Sequence, residues 1–178
     1  MNYKALNNLA TMFFVSAEHF PQKPFLWAKK NGKYISGSYS ETKNKVQLLA
    51  DSLHQLGVEK GDRVVVVSEN RPEWVIADLA IISLGGITVP AYTTNTTDDH
   101  LYILDHSEAK IAIVSVDKLA VRLMNAMSKS ASCKTIISIE ELSSDVDPSL
   151  KHLDWSSLLA PRDKLSTDVL KEAVNLKR

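Results

Sequence analysis

Three acidic residues in one short stretch have the type that general acid–base chemistry requires. Glu69, Glu73 and Asp78 flank or lie within a predicted helix, and paired carboxylates can exchange protons with a substrate. Helix capping and surface charge account for Glu69 and Glu73 equally well. Asp78 lies inside an otherwise apolar helix, so we expect it to have a buried partner, either Arg71 or the backbone of a neighbouring strand.

Histidines and aspartates that lie close together form a second set, with the side chains that bind metals. His100 and His106 share a segment with Asp98, Asp99 and Asp105. On a helix, residues three or four apart are neighbours, whereas a spacing of six separates the two histidines. We therefore interpret these residues as solvated polar groups of a helix and not as zinc ligands.

The common nucleophile and phosphate-binding motifs are absent from the sequence. None of the six glycines belongs to a G-x-x-x-x-G-K-[ST] or G-x-G-x-x-G motif, and no G-x-S-x-G elbow is present. Cys133, the only cysteine, has no identifiable neighbouring base, so a nucleophilic role is not favoured. A single cysteine excludes an internal disulfide and fits a reducing compartment. The sequence thus predicts no catalytic residue, no cofactor-binding residue and no metal ligand.

The elements that would position any such group centre on residues 62–92. Val64–Val67 is a continuous β-branched run, as in a strand buried on both faces. Asn70 is a natural N-cap and Pro72 suits the first turn of the helix that follows. Trp74–Leu84 is almost entirely apolar, so we expect an enclosed helix.

A second strand follows this helix. Gly85 and Gly86 should stop the helix, because glycine enters the left-handed region cheaply. Ile87–Val89 then predicts a strand that Pro90 ends. Two strands joined through a helix form a parallel βαβ unit.

The same patterns along the rest of the chain predict an α/β fold. It has a largely parallel sheet with flanking helices, preceded by an N-terminal helix and an antiparallel hairpin. The predicted helices cover 5–20, 40–56 after a capping box at Ser38–Glu41, a segment from Thr97, and a segment capped by Asp117. The predicted strands are Phe25–Lys29 and Lys33–Tyr39 around Asn31-Gly32, Lys110–Val114, and Lys134–Ile139.

Two regions at the ends of the chain allow less definite expectations. The helix over 5–20 could pack on the edge of the core, or its Phe13 and Phe14 could contact a second subunit or a membrane. Residues 141–178 read as a loop-rich tail, with one helical turn at 154–159 docked by Trp155 and a short helix over 168–174. We treat residues 1–178 as a single partial domain.

Charge and hydropathy exclude several classes of function. The 178 residues carry a net charge of zero, whereas nucleic-acid binding needs a clustered basic excess. No apolar run approaches the roughly 18 residues that span a bilayer, and the first residues lack the apolar stretch of a signal peptide. We expect a cytoplasmic protein without a nucleic-acid partner.

Several stretches of the sequence resemble the beginning of adenylate-forming acyl-CoA synthetases. The run Asn70-Arg71-Pro72-Glu73-Trp74 and the later Val89-Pro90-Ala91-Tyr92 are most similar to the long-chain fatty acid branch of that family. Further matching stretches are Gly57–Val64, Ala80–Gly86, Ser38–Glu41, Leu101–Leu104 and Ile111–Val114. The resemblance covers roughly residues 8–140 and places the chain in the first subdomain of the family's large N-terminal domain.

The resemblance implies an acid–thiol ligase. Such enzymes activate a fatty acid with Mg-ATP to an acyl-adenylate, release pyrophosphate, and transfer the acyl group to coenzyme A. The family's phosphate loop, its adenine and magnesium motif, its ribose-binding Asp and its catalytic Lys have no counterpart in this sequence. The resemblance therefore transfers no catalytic residue, and we expect this chain alone to bind no cofactor and to be inactive.

Two other classes of function stay open at this point. The chain could be a non-enzymatic interaction module, such as a homodimerisation surface or a peripheral membrane contact built on the first helix and the hairpin. It could also be an unrelated nucleotide-binding domain of flavodoxin type. That domain would bind its ligand at the carboxyl ends of the strands, near 68–71 or 92–95.

Overall fold

Helices and strands alternate along most of the chain. The computed structural model describes residues 6, 8–165, 168, 169, 173, 175 and 176. The helices are α1 (Leu9–His19), α2 (Tyr39–Gln55), α3 (Pro72–Ser83), α4 (Thr97–Ser107), α5 (Asp117–Lys129) and α6 (Trp155–Leu158). The strands are β1 (Pro24–Lys30), β2 (Lys33–Ser38), β3 (Arg63–Val67), β4 (Ile87–Ala91), β5 (Ile111–Val114), β6 (Thr135–Ser138) and β7 (Lys151–Asp154). Two compact units share these elements, the first with α1, α2, α3, β1 and β2, the second with the remainder.

Helix α2 shows how the first unit forms its core. Val46, Leu49 and Leu53 are fully buried on one stripe of the helix, as their spacing of three and four residues predicts. The predicted capping box is present at its start. The Ser38 hydroxyl accepts the Glu41 backbone N–H at 3.1 Å, and the Glu41 carboxylate accepts the Ser38 backbone N–H at 2.7 Å. Both orphan donors are thereby satisfied.

Aromatic rings hold α1 within the first unit. Phe13 and Phe14 are buried, and the Phe13 ring lies 5.4 Å from the Phe25 ring, which stacks on Tyr39 at 4.4 Å. The alternative that Phe13 and Phe14 contact a second subunit or a membrane is therefore wrong. Both rings are packed in the chain's own core and are therefore not available to a partner.

One asparagine joins the start of α1 to the end of the described chain. Asn8 Oδ1 accepts the Thr11 backbone N–H at 2.8 Å, while its Nδ2 donates to the carbonyls of Ala173 at 2.7 Å and Leu176 at 3.2 Å. This cap begins the helix at Leu9, four residues later than predicted. The short helix predicted over 168–174 lies largely outside the described residues.

The antiparallel hairpin forms as predicted. β1 pairs with β2 in a register that places Lys30 opposite Lys33. Asn31 and Gly32 between them have φ of 52° and 79°. Both central positions take positive φ, which is the geometry that favours Asn-Gly in a two-residue turn.

The second unit is built on a five-stranded sheet in which every neighbouring pair is parallel, in the order β4-β3-β5-β6-β7. One face packs on α4 and α5 through Val65, Val67, Ala112 and Val114. Strand residues of the opposite face are also fully buried: Val64, Val66, Ile113 and Ile137. The prediction of a parallel sheet with strands buried on both faces is confirmed.

Strand β7 and helix α6 lie in the stretch that was predicted to be rich in loops. β7 pairs with β6 along Lys151–Asp154, but its sequence lacks a β-branched run, so its pattern gave no strand signal. The helical turn of α6 follows as predicted, and its Trp155 is 6% exposed. One more strand therefore extends the predicted sheet.

The start of α3 corrects one predicted cap. Arg71, not Asn70, is the N-cap, and it makes no side-chain capping bond. The reason is Pro72 at the first helical position, because the residue before a proline is forced into extended backbone. Arg71 accordingly has φ −151° and ψ 159°.

Helix α4 begins at Thr97 as predicted, whereas the start of α5 differs from the prediction by one residue. Thr96 caps α4 and shares a capping box with Asp99. Val116 precedes α5 and has no capping bond, so Asp117 is the first helical residue and not the cap. The carboxylate of Asp117 instead binds the loop that follows β6.

The end of α3 and the course of β4 are set by glycine and proline. Gly85 has φ of 76°, so it ends the helix in the left-handed conformation as predicted. β4 continues through Pro90 to Ala91, two residues beyond the predicted end. Pro90 is tolerated because β4 is an edge strand, where a missing N–H need not break the ladder.

Candidate functional site

The carboxyl edge of the parallel sheet is the place where the second unit could hold a ligand. β3 lies between β4 and β5, so successive strands were added first on one side of β3 and then on the other. Where the order of strands reverses in this way, the loops after adjacent strands diverge and leave a crevice. Such a crevice is the usual ligand site of open α/β sheets. The segments singled out in the sequence follow β3 and β4, and the structure brings them to this edge.

A serine and a glutamate meet at this point of the sheet. Ser115, fully buried directly after β5, donates its hydroxyl to the Glu69 carboxylate at 2.5 Å. Backbone bonds fix the serine, since its N–H donates to the Val67 carbonyl and its carbonyl accepts the Glu140 N–H. The pair can orient a polar group. It lacks the histidine that would make the serine a nucleophile.

The segment after β4 is a surface turn. The Asn95 N–H donates to the Tyr92 carbonyl at 3.2 Å, and the Tyr92 side chain is 81% exposed. Arg122 of α5 donates Nη1 to the Asn95 carbonyl at 2.9 Å. Arg122 therefore holds the loop in place.

Helix N-termini are the usual phosphate sites of such a fold, and here the first turns of α3, α4 and α5 carry carboxylates. Glu73 lies in the first turn of α3, Asp98 and Asp99 in that of α4, and Asp117 in that of α5. A hydrogen bond from the Thr96 N–H holds the pKa of Asp99 below its ordinary value. Hydrogen bonds from Ser143, foremost its hydroxyl, do the same for the pKa of Asp117. These negative charges oppose the binding of a phosphate.

The two histidines of α4 have different environments, which corrects the interpretation that both are solvated. His106 is exposed and stacks on Tyr102 with ring centroids 5.4 Å apart. His100 is 2% exposed, and its Nδ1 has no hydrogen-bond partner among the described residues. Burial, followed by the positive charge of Arg122, lowers the pKa of His100. Among the described residues no three His, Cys, Asp or Glu side chains are grouped to hold a metal.

The carboxylates around α3 are also placed differently from the expectation. Arg71 Nε donates to Glu73 Oε2 at 2.8 Å, so the predicted partner of Asp78 pairs with another carboxylate. Asp78 is half-buried and not enclosed, because it lies on the side of α3 that is only partly covered. Glu69 belongs to the other unit, where Ser115 binds it. Ser115 was missed, although its position directly after a buried strand is a usable signal.

Cys133 is buried, and burial raises the pKa of its thiol to about 12. Because the thiolate is the reactive form, we expect the folded chain to be almost inert to iodoacetamide at pH 8. Labelling followed by intact-mass analysis checks this, with the chain in denaturing urea as the positive control. Rapid labelling of the folded chain would contradict the assignment of Cys133 as a structural residue.

Comparisons with known proteins identify the family to which this chain is similar. A family model described as AMP-binding enzyme matches residues 13–170. The chain is 29% identical over 133 residues to a long-chain-fatty-acid–CoA ligase of Mycobacterium tuberculosis, a match that covers 75% of this chain and 22% of the relative. It is 31% identical over 139 residues to long chain acyl-CoA synthetase 3 of Arabidopsis thaliana, covering 75% and 21% of the two chains.

Solved structures show the same likeness. A benzoate CoA ligase from Burkholderia xenovorans LB400 superposes with a TM-score of 0.69 and 26% identity, covering 88% of this chain and 29% of that one. The chain thus spans about a fifth of the length of the curated relatives it matches. Among the described residues no helix has the length and hydropathy needed to cross a bilayer. The resemblance drawn from the sequence is confirmed, and the chain belongs to the AMP-binding enzyme family, of which it represents part of the N-terminal region.

Proposed function

We propose that this chain is the N-terminal part of an acid–thiol ligase that joins long-chain fatty acids to coenzyme A at the expense of ATP. The observation that carries the proposal is the match of residues 13–170 to the family model. The names of the two relatives supply the long-chain substrate class. Both units of the chain would belong to the first subdomain of the family's large N-terminal domain.

We infer that Mg-ATP, which the family enzymes use, is not held by the described residues. The first turns of α3, α4 and α5 carry Glu73, Asp98, Asp99 and Asp117. A triphosphate would meet like charge at each of them. Glu69 is bound by Ser115, and among the described residues it belongs to no group of three His, Cys, Asp or Glu side chains that could hold a metal ion.

The proposal therefore predicts no ligase activity for this chain alone. Incubated with radiolabelled palmitate, Mg-ATP and coenzyme A, the chain should produce no acyl-CoA above a blank, because the groups that stabilise the reacting phosphates are missing. The same chain, fused in place of the matching region of the Mycobacterium tuberculosis relative, should support acyl-CoA formation.

Two controls make the fusion experiment decisive. The relative without its matching region should be inactive, which shows that the transplanted part is needed. The fusion must elute as one species and melt cooperatively, which shows that it is folded. Acyl-CoA from the isolated chain, or a folded fusion without activity, would contradict the proposal.

A second candidate function is a non-enzymatic interaction module that forms a homodimer or lies against a membrane. The hairpin favours it, because Trp27, Tyr34 and Ile35 are 57%, 71% and 55% exposed. Exposed apolar side chains in one place mark interaction surfaces. Sedimentation at rising concentration tests the homodimer, and a monomer at high concentration counts against it. In either case we place the protein in the cytoplasm, at the periphery of a membrane if the hairpin binds one.

A further inference from the structure

The hairpin of β1 and β2 differs in charge from the rest of the chain. Residues 21–38 contain four lysines and no acidic residue, within a protein whose net charge is zero. Three of the lysines, Lys29, Lys30 and Lys33, flank the turn and are exposed. Among the described residues none of the three forms an ion pair. This end of the first unit therefore presents an unneutralised positive charge.

Apolar side chains are exposed beside these lysines. Trp27 is 57% exposed, Tyr34 71% and Ile35 55%. Toward the base of the hairpin the exposure falls, since Phe25 and Leu26 are half-buried. We call residues 27–35 the hairpin tip. The exposed apolar surface of the hairpin is concentrated in this tip.

The pairing register shows how the two kinds of side chain are arranged. Directly opposed residues share a face of an antiparallel pair. Lys29 is opposite Tyr34, and Trp27 lies diagonally from Tyr34 on that face. On the other face Ile35 lies beside the opposed pair Lys30 and Lys33, the latter two nearer the turn. Each face of the tip thus combines a large apolar side chain with lysine.

We propose that the hairpin tip binds the surface of an anionic lipid bilayer. Trp and Tyr prefer the headgroup layer, where the ring is in apolar surroundings and its polar atom reaches water. Lysines are drawn to the negative surface potential of anionic lipids, and each one near the surface strengthens binding about fivefold. A tip that is apolar and basic on both faces suits insertion between headgroups. A flat protein partner would leave one of the two faces uncovered.

The inference rests on the part of the proposed function that places the protein at a membrane, and it does not depend on ligase chemistry. It also relocates the membrane contact that the sequence suggested at Phe13 and Phe14, which are buried. Binding to lipid is measured without ATP or coenzyme A, so failure of the ligase proposal and failure of this one are distinguishable.

Vesicle binding tests the proposal directly. The chain is mixed with vesicles of phosphatidylglycerol and phosphatidylcholine in equal parts, or of phosphatidylcholine alone, and the vesicles are sedimented. We expect the chain to sediment with the anionic vesicles only, and to be released by about 1 M NaCl, where screening acts within about 3 Å. Tryptophan emission should shift to the blue on binding. Trp27→Phe should remove that shift and keep the binding, because Trp155 is buried and Trp74 half-buried.

Matched variants distinguish binding through the hairpin tip from binding through the overall charge of the chain. Replacing Lys29, Lys30 and Lys33 by Gln should weaken binding on the order of 100-fold, the product of three fivefold losses. The control triple, Lys118→Gln with Lys129→Gln and Lys151→Gln, removes the same charge from exposed positions outside the hairpin and should change binding little.

A second matched pair tests the aromatic part of the tip. Tyr34→Ser should weaken vesicle binding, whereas Tyr102→Ser, at a site 67% exposed outside the hairpin, should not. No sedimentation with anionic vesicles would overturn the proposal. So would equal losses in the two lysine triples, or self-association of the chain that Tyr34→Ser abolishes while vesicle binding is unchanged. The last result would assign the tip to a second copy of the chain.

Discussion

Arg162→Ala should lower the free energy of unfolding of this chain by about 3–5 kcal/mol, because it breaks the ion pair of a buried carboxylate. Asp51 is fully buried on α2. Arg162 donates Nη1 to Asp51 Oδ2 and Nη2 to Ser52 Oγ, both at 2.5 Å. Gln55 also donates to Asp51 Oδ2 at 2.9 Å, but an amide does not neutralise the charge. Urea unfolding followed by circular dichroism measures the change.

Two comparisons identify the cause of that loss. Lys43→Ala removes an ion pair to the half-exposed Glu18 and should cost less than about 1 kcal/mol, as surface pairs do. The double variant of Arg162→Ala with Asp51→Asn should be more stable than Arg162→Ala alone, since it removes the buried negative charge that Arg162 pairs with. A cost of less than 1 kcal/mol for Arg162→Ala would show that Asp51 does not need its partner.

Acid should destabilise the chain through His100. Because burial and Arg122 lower its pKa in the folded state, the folded chain keeps the imidazole neutral while the unfolded chain protonates it near pH 6.5. The unfolded state then binds more protons. The contribution is therefore fully present above about pH 6.5 and is lost as the pH falls. The loss has a limiting slope of about 1.4 kcal/mol per pH unit and ends below the folded-state pKa.

The histidine effect is isolated by comparing variants at two pH values. We measure urea unfolding at about pH 5.5 and pH 7.5 for the parent, for His100→Phe and for His106→Phe. The stability of His100→Phe should decline less with acid than that of the parent, by up to about 1.4 kcal/mol. His106→Phe, at an exposed position of the same helix, should follow the parent. Identical pH dependence of all three would contradict the account of His100.

Much of the fold was predictable where the local signals were strong and mutually consistent. Val64–Val67 is short, β-branched and continuous, and it forms an interior strand of the sheet, between β4 and β5. Asn31-Gly32 favours a two-residue turn with positive φ at both positions, and the structure shows this turn. Gly85 ends α3 with the positive φ that its type suggests. In each case the backbone preference of a few residues agrees with the final structure.

The features that escaped prediction depend on contacts between distant residues. Strand β7 is four residues long and becomes a strand by pairing with β6. Arg162 reaches Asp51 across 111 positions of sequence. Nothing local to either residue indicates that pairing. His100 shares its helix with the exposed His106, and its burial follows from how α4 packs in the second unit.

The candidate site was predictable in place but not in its details. The rule that ligands bind at the carboxyl ends of parallel strands pointed to the loops after β3 and β4. The contact of Ser115 with Glu69 required the order of the strands, because it joins loops after β3 and β5. The order of strands in the sheet cannot be predicted from the hydrophobic periodicity of the sequence.

The most direct test of the ligase proposal is to read the coding sequence beyond the codon for Arg178. If this chain is the N-terminal part of an AMP-binding ligase, an in-frame loop rich in Ser, Thr and Gly that ends in Pro-Lys-Gly should follow within a few residues. The family's adenine and magnesium motif, its ribose-binding Asp and its catalytic Lys should follow that loop. A stop codon, or an in-frame continuation without such a loop, would contradict the proposal that this protein is a ligase.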